Sequence, residues 1–407
     1  MKTRTSKYTK ILSAALALVL GIGSVTFGAS AITVGDYTND AEKDNIEFYE
    51  FNNAYCPHET MSEEWMVETY PDGSTPGSYV LKCATCGAAC ESVEIPPLKI
   101  KTASLILTDS MAIDYKVSKD LLTEGSYTDP YVVFSMLDES VTVTSYREDE
   151  NYFIFTFDNI APQYMSETVT ATLYATCYGK VCAGIPQDYS VKTYCYNTLA
   201  KYASDEYAEL RTLLVDLLNY GTVSQQYTGR VSSGLANADL TDAQRAWGTA
   251  EDRALTTVQD TKYIERENAT VNWKSAGLSL RESVALRFKI DAASADGLSA
   301  RVVNANGVYT VPSSQFVETD GGYYVYFDHL TAANMSNANY ITIYDANGPI
   351  SNTFSYSVES YAYSMLSKTE QGLLVDLIHA MMRYGDAAKA YVATDEVQPE
   401  DNWTGLY

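Results

Sequence analysis

The stretch FDNIAPQYMS, Phe157 to Ser166, aligns without a gap on FDHLTAANMS, Phe327 to Ser336. Upstream, MAIDYKV (Met111 to Val117) answers VALRFKI (Val284 to Ile290). Downstream, DYSVKTYCYNTLAKY answers SYSVESYAYSMLSK, and LLVDLLNYG (Leu213 to Gly221) answers LLVDLIHAMMRYG (Leu373 to Gly385). Four matched blocks in one order mark a duplication, and a chain of 407 residues is long enough to need more than one core. Whatever one copy folds into, the other must fold into as well.

Within each copy, short segments alternate apolar and polar residues, for example NYFIFTFDN, SETVTATLYA, GYYVYFDH and NYITIYDA, with Gly, Asn, Asp and Pro between them. That is the period of half-buried strands, and a sandwich or barrel buries their apolar faces. Leu210, Leu213, Leu214, Leu217 and Leu218, and in the second copy Leu374, Leu377, Ile378 and Met381, fall at helical spacing and should dock on the β core. Tyr220-Gly221 and Tyr384-Gly385 read as the ends or bends of those helices, since glycine readily takes the left-handed cap conformation. The expected fold is mainly β with helices (α+β): two tandem β-sandwich-like modules, each closed by a C-terminal helix pair, behind a small Cys/His ribbon.

The organisation follows: signal peptide 1–31, linker 32–50, Cys/His ribbon-like module 51–98, repeat 102–228, linker 229–275, repeat 276–393 and tail 394–407. The signal rests on Lys2, Arg4, Lys7 and Lys10, then ILSAALALVLGIG, then Ala29-Ser30-Ala31, the small-residue pattern a signal peptidase accepts. Export to the exterior or cell envelope is expected, with no membrane span. The linker 229–275 is polar with room for one short helix, which would let the repeats move relative to each other.

The Tyr-Ser-Val helix followed by LLVDL…YG resembles an uncharacterised module of extracellular proteins from gut-dwelling Gram-positive anaerobes, often found beside adhesion domains. The resemblance implies location and architecture and carries no catalytic residues.

The chain has 28 basic and 52 acidic residues; the first 31 hold four of the basic and none of the acidic, so the mature net charge is about −28. Such a charge repels nucleic acid and anionic lipid and disfavours acidic partners, which leaves cationic or neutral ones, glycans or proteins, as the expected partners.

Cys56-x-His58 and Cys83-x-x-Cys86-Gly87 supply two ligand pairs at the ends of a hairpin-sized insert, and one structural zinc on Cys56, His58, Cys83 and Cys86 is expected, with Cys90 spare. A set of disulfides among the four cysteines is the alternative, although it leaves His58 unexplained. The segment, with Trp65 and a closing Ile-Pro, also resembles a small Cys/His module of exported proteins. Cys177 and Cys182 flank a Gly179-Lys180 turn and are a disulfide candidate. Cys195 reads as core, opposite Ala362 of the second copy.

Serine, cysteine and nucleotide chemistries lack their motifs. His379 reads as a helix residue at the core margin, and His329 matches Asn159 in a turn. A hydrolase needs only two facing carboxylates, and Asp158 and Asp328 are the repeated pair, but equivalent turns in separate modules suit a structural Asp. Because residues shared by both copies make the fold, differences between copies are the place to seek function. Tyr324 and Tyr326 replace Ile154 and Thr156 of copy one, and Tyr340 and Tyr344 stand opposite the core on a later strand. Were the strands neighbours, the four would form an outward aromatic patch; the alternative is a second core layer under the helices. The expected function is a non-enzymatic interaction protein that binds glycan or protein through this face. The rivals are a carbohydrate-active hydrolase and an envelope spacer.

Overall fold

The computed structural model describes residues 60–107, 111–123, 127–230, 234–257, 264–280, 284–369 and 371–392. Cys56, His58, the signal segment, the 32–50 linker and the C-terminal tail lie outside the described residues.

The first strands are β1 (Met66–Thr69), β2 (Gly77–Lys82) and β3 (Ala89–Ile95), an antiparallel three-stranded sheet in the order β1-β2-β3. Repeat one then runs β4 (Thr102–Leu107), β5 (Met111–Ser118), α1 (Lys119–Thr123), β6 (Tyr127–Met136), β7 (Glu139–Val143), β8 (Arg147–Glu148), β9 (Tyr152–Phe157), β10 (Val169–Cys177), β11 (Lys180–Ala183) and β12 (Gln187–Tyr189). Helices α2 (Val191–Lys201) and α3 (Ala208–Thr228) close it. After α4 (Asp242–Arg245), repeat two runs β13 (Trp273–Leu280), β14 (Val284–Ile290), β15 (Ser299–Asn304), β16 (Gly307–Pro312), β17 (Val317–Thr319), β18 (Gly322–Phe327), β19 (Asn339–Asp345), β20 (Gly348–Pro349) and β21 (Phe354–Tyr356). Helices α5 (Val358–Leu366) and α6 (Leu373–Val392) close this one.

The duplication holds strand for strand. Repeat one pairs its strands β4-β5-β9-β8 and β11-β10-β6-β7, with β12 also on β10; repeat two pairs β13-β14-β18-β17 and β20-β19-β15-β16, with β21 on β19. All these pairings are antiparallel. In each repeat the apolar faces of two sheets meet: Ile113, Tyr115 and Phe155 against Phe134 and Leu173, and Leu286, Phe288 and Val325 against Val302 and Ile341, all fully buried. The protein is α+β, two sandwich-like modules each with a C-terminal helix pair.

The Tyr-Ser-Val signature has a local cause. Ser190 and Ser357 are the N-caps of α2 and α5, accepting from the backbone N–H of Thr193 at 3.0 Å and Ser360 at 2.9 Å.

The Tyr-Gly pairs are not helix ends. Helix α3 continues to Thr228 and is capped by Gly229 in the left-handed region, while α6 continues to Val392. Gly221 and Gly385 instead allow close approach. A Cβ on Gly221 would collide with Met165 Sδ, and one on Gly385 would lie 2.9 Å from Met335 Sδ and 3.1 Å from the Ala332 carbonyl. Met165 and Met335 are the penultimate residues of the FDNIAPQYMS-type blocks, so two of the matched parts of the repeat touch each other.

Helices α3 and α6 also pack on each other. Tyr220 and Tyr384, the residues before the two glycines, are buried and stacked with ring centroids 5.8 Å apart and planes 13° from parallel. The segment between the repeats is pinned as well. Asn237 N–H donates to Thr222 Oγ1 and Lys192 pairs with Asp239 at 2.8 Å; further on, Arg253 pairs with Glu359 at 2.6 Å and Asp386 at 2.8 Å. The expectation that this polar stretch would let the repeats move overlooked these ties, which join residues far apart in sequence.

Candidate functional site

The four candidate tyrosines divide between two sheets. Tyr324 and Tyr326 are on β18, in the sheet β13-β14-β18-β17; Tyr340 and Tyr344 are on β19, in the facing sheet. Strands β18 and β19 are not neighbours, so no patch of four exists. Tyr340 is 5 % exposed and packs with Val303 and Ile264, while Thr342 between the tyrosines is fully buried and bonded to Thr353 at 2.7 Å. That face is covered by the segment between the repeats, which bridges Ile264 to Thr353 and Val271 to Ser351. For Tyr340 the second-layer alternative describes the packing, although the cover is that segment and not the terminal helices.

Tyr324 and Tyr326 stand differently. Their inward neighbours Val325 and Phe327 are fully buried, so strand alternation turns both tyrosines to the outer face, where they are half-buried with ring centroids 6.2 Å apart. The paired strand β14 sets Lys289 opposite Tyr324 and Arg287 opposite Tyr326. The Arg287 guanidinium lies 4.8 Å from the Tyr324 ring centroid, a cation–π contact. Beyond β14, Ser275 and Gly277 of β13 continue the rows with small side chains, and on the other side Val317 of β17 is 50 % exposed. The outer face of this sheet thus sets two rings and two cations side by side. The corresponding face of repeat one is closed on itself: Asp114 accepts from Arg147 at 2.6 Å and Thr156 at 2.7 Å, and Lys116 pairs with Asp149 at 3.5 Å.

Sequence reasoning missed a second feature, a cleft of about 460 Å³ between α3, α6 and the connecting segment, lined by Asp216, Asn219, Asp252, Asp376, His379 and Arg383 among others. Asp252 Oδ2 is 3.1 Å from His379 Nδ1, and its Oδ1 accepts from Arg383 Nε at 2.7 Å. Burial pushes the Asp252 carboxyl up, but the hydrogen bond from Arg383 and the neighbouring His379 outweigh it and hold it below the ordinary range. Burial raises Asp216 against the hydrogen bonds of Thr249, whose N–H and hydroxyl donate to it at 3.1 and 2.6 Å. Two carboxyls driven apart in pKa are the arrangement an acid–base pair needs. Here the oxygens of both are engaged in holding the connecting segment to the helices. Asp158 and Asp328 are exposed in equivalent turns after β9 and β18, one in each repeat.

Cys177 and Cys182 are both buried, but the turn is Tyr178-Gly179, with positive φ at each, not Gly179-Lys180. Cys177 therefore pairs with Lys180, and Cys182 with Ala175. The two thiols sit diagonally on one face, close enough to hydrogen-bond, and burial pushes the Cys177 thiol up to about 11. Cys195 is fully buried in α2, its thiol raised by burial, and Ala362 is buried in the equivalent place. Cys83 is buried, and Cys86 and Cys90 are half-buried in and after the turn that follows β2, where Gly87 N–H donates to the Cys83 carbonyl at 2.9 Å. Among the described residues no group of three or more His, Cys, Asp or Glu side chains could hold a metal, and none of the helices is long and apolar enough to cross a membrane.

No protein-family model matches the chain, and no curated protein matches it. Among solved structures, the crystal structure of the chicken CNTN1 FN1-FN3 domains is similar at 8 % identity over 70 % of this chain and 78 % of that one, with a TM-score of 0.17. At that score the description of the fold rests on the sheet order itself.

Proposed function

We propose that the protein is a secreted or cell-surface, non-enzymatic interaction protein that engages its partner through the outer face of the β13-β14-β18-β17 sheet. The observation that carries this reading is the pair Tyr324 and Tyr326, outward beside Arg287 and Lys289, where repeat one has a self-satisfied ion-pair network. Tyrosine offers apolar area and a hydroxyl together, which suits a sugar ring or a protein surface. Hydrolysis is disfavoured because Asp216 and Asp252 spend their oxygens on Thr249, Arg383 and His379. Glycan-array and pull-down screening of the mature chain beside Tyr324→Ala and Tyr326→Ala tests it. Loss of binding with an unchanged melting temperature is expected, and loss of stability without loss of binding would refute it.

The ribbon belongs to the same proposal as a metal-stabilised module, one zinc on Cys56, His58, Cys83 and Cys86, in support of which Ala84 N–H donates to the carbonyl of Thr60, two residues after His58, at 2.9 Å. The cation would stabilise the turn and leave no open position for chemistry. Cys177 and Cys182 are assigned to a disulfide formed outside the cell. Intact mass under native and denaturing conditions reads both: one zinc retained only natively, and two hydrogens missing that Cys182→Ala restores. A zinc-free native mass, or no missing hydrogens, would reject the respective assignment.

A further inference from the structure

We infer that the ligand of the Tyr324 face is an acidic polysaccharide, one whose sugars carry carboxylate or sulfate groups. The inference rests on the reading of that face as the binding surface and adds the charge of what binds there. In a chain with 52 acidic and 28 basic residues, the outward positions of β13, β14 and β18 hold Arg287 and Lys289 and no Asp or Glu, the exposed acids Glu318 of β17 and Asp320 of the turn after it lying at the edge of the sheet. Arg287 makes no ion pair among the described residues; it is half-buried against the Tyr324 ring, with Tyr361 of α5 also in electrostatic reach. Lys289 donates one hydrogen bond, to the Asp320 carbonyl at 2.7 Å, and retains two further donors. The nearby acid Asp291 at the end of β14 is already paired with Lys274 at 3.0 Å and bonded to Asn272.

The negative excess of the whole molecule does not oppose this. At physiological salt the screening length is about 8 Å, so a bound anion responds to the two cations it touches and only weakly to charges elsewhere. The copy comparison points the same way. Arg287 occupies the position of Asp114, and Lys289 that of Lys116, so where repeat one has an acid paired with Arg147, repeat two has a second cation beside two rings. A sugar polymer fits better than an acidic peptide because the rings and cations stand together on the outer face of the sheet, where a flat pyranose can stack on a ring. An extended peptide would instead seek the unpaired main chain of an edge strand.

The test uses the mature chain and a panel of uronate and sulfated polysaccharides, including polygalacturonate in de-esterified and fully methyl-esterified forms, which differ only in charge. Binding is read by calorimetry at low and high salt. The wild type is expected to prefer acidic members by about tenfold, the effect of one or two charge-assisted contacts, with the preference shrinking as salt rises. The double variant Arg287→Gln, Lys289→Gln should bring the two polygalacturonate forms to the same affinity, its melting temperature confirming the fold. Equal affinity of the wild type for both forms, or a preference that survives the double variant, overturns the inference and leaves the face intact as a binding surface. Binding unaffected by Tyr324→Ala and Tyr326→Ala overturns the face itself. Failure to bind any acidic member, or polyglutamate bound as tightly as the polysaccharides, overturns the polysaccharide assignment.

Discussion

Gly221 and Gly385 sit in mid-helix, where glycine costs about 1 kcal/mol relative to alanine, so something must compensate. The compensation is contact: each lets its helix lie against a methionine of the turn after the sixth strand of its repeat, and Met165 is fully buried with nowhere to retreat. Gly221→Ala is therefore expected to destabilise by about 1–3 kcal/mol, the usual cost of overpacking, despite alanine's better helix propensity, and chemical denaturation would check it. An unchanged or raised midpoint would mean the helix can shift. The sequence shows the Tyr-Gly pair twice and shows that it matters. It does not show why, because a glycine required by a neighbour and a glycine required by its own φ look alike. The tyrosines teach a similar lesson: alternation places Tyr324 and Tyr340 correctly as outward residues of their strands, but which sheet a strand joins, and what then covers it, depends on pairings that one strand's pattern does not contain.

The connecting segment is the element least legible in the sequence. Its polar composition reads as a linker, yet its charges are matched by residues more than a hundred positions away, such as Arg253 with Glu359 and Asp252 with Arg383. Equivalent sites on the two repeats do the gripping with opposite sign. Lys192 and Glu359 both follow the N-cap Ser-Val of their helices; the first holds Asp239, the second Arg253. Burial pushes the Glu359 carboxyl up, but hydrogen bonds from Arg253, Ser336 and the Thr256 N–H bring it down to about 2. A carboxyl lowered on folding adds stability that is fully present above its unfolded value, about 4.5, and lost as pH falls through about 2. Glu359→Ala should thus cost about 3 kcal/mol at neutral pH, as breaking a buried pair does, and the gap from wild type should narrow as pH drops from about 4.5 towards 2. A gap independent of pH in thermal melts would sink this account.

At the scale of the molecule, the two sandwiches share a core. Leucines 213, 214, 217 and 218 are almost completely buried because α3 is enclosed by its own repeat on one side and by α6 on the other. The repeat, its sheets and its helix pairs were legible, since these are written in local periodicity; the packing of one repeat on the other, and the cleft beside that packing, were not. A shared core predicts one calorimetric unfolding transition for both repeats, lowered as a whole by Tyr384→Ala, at a cost of about 3–5 kcal/mol. Two separated transitions would contradict it. The stacking of Tyr220 on Tyr384 sets each repeat's helix against the same helix of its twin, the isologous contact of a two-fold dimer drawn within one chain. Such a contact closes at two. A third tandem copy would find this surface already occupied, so lineages that lengthen such a protein should add the module in pairs, and a chain bearing a single copy should form a homodimer through the same stripe.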